Sequence, residues 1–241
     1  MNTHGAAGNQ PFRQCVIIVA GGKGLRMGSD IPKQFMLLNG RPVLMHTIDA
    51  FYSYSADIQI VLVLPQMQRS YWQMLCERHY FSMPHLLVDG GETRFHSVKN
   101  ALLAIYTQLE KTALIAIHDG VRPLVGKPLI AEMFSAAAQT GAAYPVIPVT
   151  DTIREIQDDG SSRLVDRNRF CLVQTPQVFR ADLLWQAYQA EYSDAFTDDV
   201  SVVETAGCCR PTSVAGRKEN IKITHLADLA IAETLIKQHG Y

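Results

Sequence analysis

Short apolar runs rich in β-branched residues alternate along this chain with amphipathic stretches of helical length. Parallel neighbouring strands need a long crossover, which a helix supplies, so the alternation predicts a mostly parallel sheet with helices on both faces. Strands covered on both faces are expected to be apolar almost throughout, as these are. The predicted strands are Cys15–Val19, Ile58–Leu64, His85–Val88, Ala113–Ile117 and Ala142–Val149, and the predicted helices are Val43–Tyr52, Arg69–Arg78, His96–Leu109 and Leu129–Thr140.

The remainder of the chain continues the pattern without a linker or an internal repeat. We expect helices near Ala181–Glu191 and Asp198–Thr205, a strand near Thr212–Val214 and a closing helix near Leu226–Lys237. A chain of 241 residues is long enough to bury a sizeable core and is often one α/β domain. We therefore treat residues 1–241 as a single domain.

One segment departs from the alternation and predicts a polar hairpin. Thr152–Gln157 and Arg163–Asp166 flank the turn sequence of residues 158–162, which contains Gly160. An isolated hairpin is marginally stable, so it needs something to pack against. A second copy of the chain is the simplest partner, which makes residues 150–168 a candidate dimerisation arm of a homodimer. A solvated excursion ordered by its own chain is the alternative.

Composition and charge exclude several classes of function. The 22 Lys and Arg residues nearly cancel the 23 Asp and Glu residues, and the net charge of -1 provides no basic field for nucleic acid. The five cysteines show no C-x-x-C spacing, so they predict neither a disulfide framework nor a zinc site, and a reducing cytoplasm fits them best. No apolar run approaches the roughly 20 residues of a membrane helix, and the opening segment lacks a signal-peptide pattern.

A glycine-rich loop follows the first predicted strand, at the sheet edge where ligands of such folds bind. Its glycines, within residues 20–28, allow backbone N–H groups to approach phosphate oxygens. The dinucleotide fingerprint fits poorly because Met27 stands where a small residue is needed, and Pro128 rules out a Walker A motif later in the chain. Two cations, Arg26 and Lys33, accompany the loop, as phosphoryl-transfer chemistry requires. Ordinary surface charges are the alternative for both.

Five ordered segments resemble one enzyme family. They are A-G-G-x-G-x-R-M followed by P-K-Q-F, Asp89–Val98, His118–Pro123, Val165–Asn168 with Gln174–Gln177, and Asn220–Thr224. Over about Cys15 to Lys237 the chain is similar to the 2-C-methyl-D-erythritol 4-phosphate cytidylyltransferases of the non-mevalonate isoprenoid pathway. Ribitol-5-phosphate cytidylyltransferases share most of these motifs, but the Val-Asp-Arg-Asn sequence favours the erythritol family.

This resemblance implies a Rossmann-like nucleotidyltransferase fold with a protruding β-hairpin arm. It also implies an enzyme that transfers CMP from CTP to the erythritol phosphate and releases pyrophosphate. The alternatives are ribitol 5-phosphate as acceptor, or a nucleotide-binding relative without catalysis.

The resemblance also implies a role for individual residues. Catalytic cations that act on the triphosphate and the transition state are Arg26, Lys33 and Lys222. Nucleotide-binding residues are Ala20, Gly21, Gly22, Gly91, Glu92, Ser97 and Asp119. Residues around the acceptor are Thr152, Arg167, Thr175 and Glu219. The family often has Asp where Glu92 stands.

The chemistry of the reaction supports these assignments. A carboxylate such as Asp119 can lie among phosphates only with a cation between them, so Mg²⁺ is expected there. The acceptor phosphate is already ionised, so catalysis is positioning and charge neutralisation, and His118 is expected only to support the site. Arg122 is expected to brace its loop. The pair Asp198 and Asp199 resembles a helix N-terminus, without a chemical role.

Overall fold

The computed structural model describes residues 12–21 and 31–239 of the chain. The central element within these residues is an eight-stranded mixed sheet. Its strands are β1 (Phe12–Val19), β4 (Gln59–Leu64), β5 (Leu86–Asp89), β6 (Leu109–Asp119), β7 (Ala142–Pro148), β10 (Cys171–Val173), β11 (Gln177–Arg180) and β12 (Thr212–Ala215). Two small antiparallel ribbons lie outside it, β2 (Leu37–Leu38) with β3 (Arg41–Pro42), and β8 (Arg154–Ile156) with β9 (Ser162–Leu164).

The helices cover both faces of this sheet. They are α1 (Val43–Tyr54), α2 (Arg69–Arg78), α3 (Arg94–Ile105), α4 (Lys127–Thr140), α5 (Ala181–Ala187), α6 (Asp199–Thr205) and α7 (Leu226–His239). No helix within the described ranges 12–21 and 31–239 has the length and apolar character that a membrane span requires.

Strand β1 shows how the apolar runs serve two cores. Side chains of a strand point alternately to opposite faces. Val16 and Ile18 pack with α1, α2 and α4 on one face. Cys15 and Ile17 pack with α3, α5 and α6 on the other face. The predicted Rossmann-like α/β architecture, with helices on both faces, is therefore confirmed.

Strands β6, β1, β4 and β5 are parallel neighbours in that order. On the other side of the sheet, β7 and β12 correspond to predicted strands, but β10 and β11 were not predicted. Strand β11 is inserted antiparallel between β6 and β7, and β10 pairs antiparallel with β7. Both strands are short, with three and four residues, and Gln174 to Pro176 separate them. Such short segments carry too little periodicity to be recognised in the sequence.

The polar hairpin is present as β8 and β9 and leaves the sheet between β7 and β10. Its base is held by the sheet, because Pro148 at the end of β7 pairs directly with Cys171 at the start of β10. Apolar side chains along it are largely exposed, with Ile156 79% and Leu164 67% accessible. The hairpin is therefore incompletely buried by its own chain.

Candidate active site

A buried carboxylate surrounded by three cations lies at the carboxyl end of β6. Asp119 Oδ2 is 2.9 Å from Lys222 Nζ and 3.4 Å from Arg122 Nε, and Oδ1 is 3.8 Å from Arg94 Nε. Burial alone would raise the pKa of Asp119, but the charges of Arg94, Lys222 and Arg122 outweigh burial and hold the pKa well below its usual range. Asp119 is therefore a carboxylate at any physiological pH, in a strongly positive setting.

His118 supports this site from the core, as expected. Its Nε2 lies 3.0 Å from the Arg122 carbonyl oxygen, which can only accept, so Nε2 carries the ring hydrogen. Burial lowers the pKa of His118 to about 4, so the ring is neutral and Nδ1 is an acceptor. The Thr175 hydroxyl, 3.1 Å from Nδ1, therefore donates to it, while Thr175 Oγ1 accepts the backbone N–H of Asp119 at 3.1 Å. Thr175 Oγ1 can therefore act toward a ligand only as a hydrogen-bond acceptor, through its remaining lone pair.

Lys222 is presented by an irregular segment and not by a strand. Ile223 is buried and its neighbour Lys222 is exposed, although neither residue belongs to a strand. Asn220 fixes the segment, because its Nδ2 donates to the Thr175 carbonyl at 2.8 Å and its carbonyl accepts from Arg122 NH1 at 2.8 Å. Arg122 thus braces its loop, as predicted, and also contacts Asp119.

The loop after β5 is a tight turn. A Cβ on Gly91 would overlap the Cβ of His96 and lie 2.9 Å from the His96 carbonyl carbon, so only glycine fits there. The Ser97 hydroxyl donates to the Thr93 carbonyl at 2.9 Å and accepts from the Gly91 N–H at 3.1 Å. Ser97 therefore holds the turn, and Glu92 is exposed beside it.

Gln34 ties the end of β1 to the turn that carries Lys33. The buried Gln34 amide donates to the Ala20 carbonyl at 2.7 Å and to Gln68 Oε1 at 2.9 Å. Lys33 and Gln34 share one 3₁₀ turn, Lys33–Phe35, so fixing Gln34 also fixes the backbone of the lysine. Gln34 was not among the predicted site residues, although it lies inside the P-K-Q-F motif.

Of the other predicted site residues, some lie outside the described residues and some lie at the base of the hairpin or just before Lys222. Gly22 and Arg26 lie outside the described residues, and Gly21 is the last described residue before that gap. Thr152 and Arg167 are exposed at the base of the hairpin, where Arg167 donates to the Thr150 carbonyl. Glu219 is half-buried in the segment that precedes Lys222.

Arg94 lies beside the Asp119 carboxylate and was not among the predicted site residues. Its guanidinium donates to both carboxylate oxygens of Asp199, at 2.8 and 2.6 Å. Asp199 is fully buried and also accepts from the Tyr188 hydroxyl at 2.6 Å. Asp198 caps α6, as the expected helix N-terminus, but Asp199 is a buried ion-pair partner. The signal available was an arginine inside the Asp89–Val98 motif.

The sequence matches the family model described as IspD, 2-C-methyl-D-erythritol 4-phosphate cytidylyltransferase, over residues 14–238. The chain belongs to this family. It is 55% identical over 221 residues to the cytidylyltransferase of that name from Azobacteroides pseudotrichonymphae, covering 92% of this chain and 97% of the relative. The corresponding protein of Bacteroides thetaiotaomicron is 52% identical over 226 residues, 93% of this chain and 100% of the relative.

Solved structures of the family share the fold. The crystal structure of 4-diphosphocytidyl-2C-methyl-D-erythritol synthase from Anaerococcus prevotii matches with a TM-score of 0.77 at 27% identity, covering 94% of this chain and 99% of that chain. The Thermus thermophilus cytidylyltransferase matches with a TM-score of 0.69 at 30% identity, with the same coverage. The predicted fold, enzyme class and cytidylyltransferase function in isoprenoid biosynthesis are thereby confirmed.

Proposed function

We propose that this member of the cytidylyltransferase family transfers CMP from CTP to 2-C-methyl-D-erythritol 4-phosphate, at the site built around Asp119. The observation that carries the proposal is the 2.9 Å ion pair between Lys222 and Asp119. It joins two distant motifs at the carboxyl end of β6, the edge where ligands of such sheets bind.

The reaction requires one bond to form and one to break. An oxygen of the acceptor phosphate attacks the α-phosphorus of CTP, the bond from that phosphorus to the bridging oxygen breaks, and pyrophosphate leaves with the electron pair. Negative charge grows on the equatorial and leaving oxygens, where Lys222 with Arg26 and Lys33 supplies compensating charge. None of these groups has to move a proton, which agrees with a neutral, buried His118.

Asp119 fits a divalent cation that arrives with the nucleotide. Within residues 12–21 and 31–239, no three His, Cys, Asp or Glu side chains gather into a metal cluster. Mg²⁺ is commonly held by one or two carboxylates together with substrate phosphates. The single buried carboxylate of Asp119 is consistent with this mode of coordination. The cation would neutralise the triphosphate and orient it.

The nucleotide is assigned to Ala20, Gly21, Gly22 and the turn containing Gly91, Glu92 and Ser97. Backbone N–H and carbonyl groups of a rigid turn can distinguish the edge of cytosine from that of uracil. The overlap between a Cβ at Gly91 and His96 supports a closely fitting turn. Thr175 and Glu219 are assigned to the acceptor, and Thr175 is suited to accept a hydrogen bond from a polyol hydroxyl.

The hairpin arm is assigned to pairing with a second copy of the chain. Its exposed apolar side chains continue into the neighbouring segment, where Phe170 is 49% and Leu172 53% accessible. A concavity of about 610 Å³ at the arm has a mixed lining of apolar residues, Ile153, Leu164, Val165 and Phe170, and charged residues, Glu155, Arg163, Asp166 and Arg169. Thr152 and Arg167 on the arm would then complete the acceptor site of the partner.

Other partners follow from the same chemistry. The substrates are a nucleotide and a small polyol phosphate, and we propose neither nucleic acid nor membrane as a partner. All five cysteines are free thiols, which supports an enzyme acting in the reducing cytoplasm.

Pyrophosphate release tests the proposal directly. The enzyme is assayed with CTP and 2-C-methyl-D-erythritol 4-phosphate, with ribitol 5-phosphate as the competing acceptor and with ATP, GTP and UTP as competing donors. We expect turnover to be greatest with CTP and the erythritol phosphate and to disappear on chelation of divalent cations. Equal turnover with ribitol phosphate, or undiminished turnover after chelation, would contradict the acceptor or the metal assignment respectively.

A further inference from the structure

The two oxygens of Asp119 have different surroundings. Oδ2 is engaged by Lys222 at 2.9 Å and by Arg122 at 3.4 Å. Across the described part of the chain, the cation recorded for Oδ1 is Arg94, whose Nε lies 3.8 Å away. At this distance Arg94 and Asp119 form an ion pair but not a hydrogen bond. Among the described residues, Oδ1 is therefore the less engaged of the two carboxylate oxygens.

Arg94 is kept at this distance by a rigid contact on its other nitrogens. NH1 and NH2 both donate to Asp199, in the two-pronged arrangement that fixes the plane of a guanidinium. Asp199 is itself immobilised, because its backbone N–H donates to Gln177 Oε1 at 3.0 Å and its carboxylate accepts from Tyr188. The Arg94 side chain is 30% exposed, so it is not enclosed by protein on every side.

We propose that Asp199 is a positioning residue that holds Arg94 away from Asp119 Oδ1 and so keeps this oxygen available to the divalent cation that accompanies CTP. The inference rests on the proposed function only in taking CTP with a divalent cation as the ligand. Without the charge of Asp199, Arg94 is attracted to Asp119 and closes on Oδ1. Both oxygens of Asp119 are then covered by cationic side chains, and the metal has to displace one of them.

An Asp199→Asn substitution removes the charge and retains the shape and an acceptor for Tyr188. Manganese serves as the probe, and free Mn²⁺ is counted by electron paramagnetic resonance with CTP present and no acceptor, so that no turnover occurs. We expect nucleotide-dependent Mn²⁺ affinity to fall by about 10- to 100-fold, as is typical when a residue supporting a metal ligand is removed. Unchanged affinity in the folded variant would overturn the proposal.

The double variant Asp199→Asn with Arg94→Gln distinguishes the positioning of Arg94 by Asp199 from a general structural role of Asp199. Removing the guanidinium as well should restore the Mn²⁺ affinity toward the parental value, whereas a purely structural role predicts equal or greater loss. If Asp199→Asn alone does not fold, Arg94→Gln provides the test, because Oδ1 stays free and affinity should be retained. A large loss of affinity in Arg94→Gln or in the double variant overturns the proposal.

Failure of the proposed function would be recognised separately. The parent enzyme would then bind Mn²⁺ with CTP but release no pyrophosphate when the erythritol phosphate is added. The positioning role of Asp199 is decided by binding alone.

Discussion

Lys222 Nζ lies 2.9 Å from Asp119 Oδ2, although the two residues belong to different motifs and Lys222 is not part of the sheet. The lysine reaches the carboxylate because Asn220 anchors its segment to the Thr175 carbonyl. A single contact thus brings a predicted catalytic cation to the predicted metal-binding carboxylate.

Replacing Lys222 by Ala should reduce kcat by about 10²- to 10³-fold, because a charge that acts in the transition state is removed. The KM for CTP should rise much less. Steady-state pyrophosphate release measures both constants. Lys237→Ala, an exposed lysine on α7, is the control and should behave like the parent. A Lys222→Ala enzyme with parental kcat would contradict the catalytic role.

Mixing two inactive variants tests whether the arm completes the site of a second subunit. In a dimer of one Lys222→Ala chain and one Arg167→Ala chain, one site carries both changes and the other carries neither. Random reassembly should therefore restore about a quarter of the parental activity. Activity is measured after mixing and refolding the two chains, with each variant alone as control. Absence of any recovery, or a monomeric mass by light scattering, would remove the basis for the shared site.

Replacing Gln34 by Leu should raise the KM for CTP and lower stability by about 1–3 kcal/mol, because the Ala20 carbonyl and Gln68 lose their buried donor. Denaturant unfolding measures the stability and initial rates measure the KM. Gln66→Leu changes an exposed glutamine in the neighbouring turn and should alter neither quantity. An effect on stability without any effect on KM would limit Gln34 to a structural role.

Stability should decline on acidification through His85. Its Nδ1 is 2.7 Å from the Met83 carbonyl and its Nε2 accepts from Trp72 Nε1 at 3.0 Å, so the folded protein holds the neutral ring. Burial lowers the pKa of His85. The contribution of neutral His85 to the free energy of unfolding is therefore complete above the pKa of the unfolded state, roughly 6.5. It is lost as the pH falls through the lower pKa of the folded state. We expect a loss of about 1 kcal/mol when Trp72 is left without an acceptor.

The measurement for His85 is the free energy of unfolding in urea at about pH 7.5 and about pH 5, either side of that ordinary value. His85→Gln supplies an acceptor that does not titrate, so the difference between the two pH values should shrink in this variant. An identical pH dependence in parent and variant would show that other groups cause the decline.

The parallel half of the sheet could be predicted because its strands are buried on both faces and separated by helices of ordinary length. Strand β11 could not be predicted, because it forms by pairing with β6 and β7 and has no distinctive hydrophobic pattern of its own. Local preference is often overridden by such tertiary pairing.

Asp119 and Lys222 could be selected from the sequence because each lies in a motif that resembles the family. Arg94 and Gln34 were not predicted, because each acts through a hydrogen bond to another protein group. Arg94 donates to Asp199, and Gln34 donates to the Ala20 carbonyl. Their partners are far away in sequence and became visible only in the folded chain. The same holds for Asp199, whose sequence context suggested no more than a helix start.

The direct pairing of Pro148 with Cys171 means that the ends of the arm are brought together by the sheet and not by the arm itself. Closing the intervening loop adds little entropic cost once those ends are fixed, and the cost grows only slowly with loop length. A shortened arm should therefore leave a stable fold. In the proposed dimer, subunit pairing and folding would therefore be separable, and the length or sequence of the arm could change without destabilising the domain that carries it.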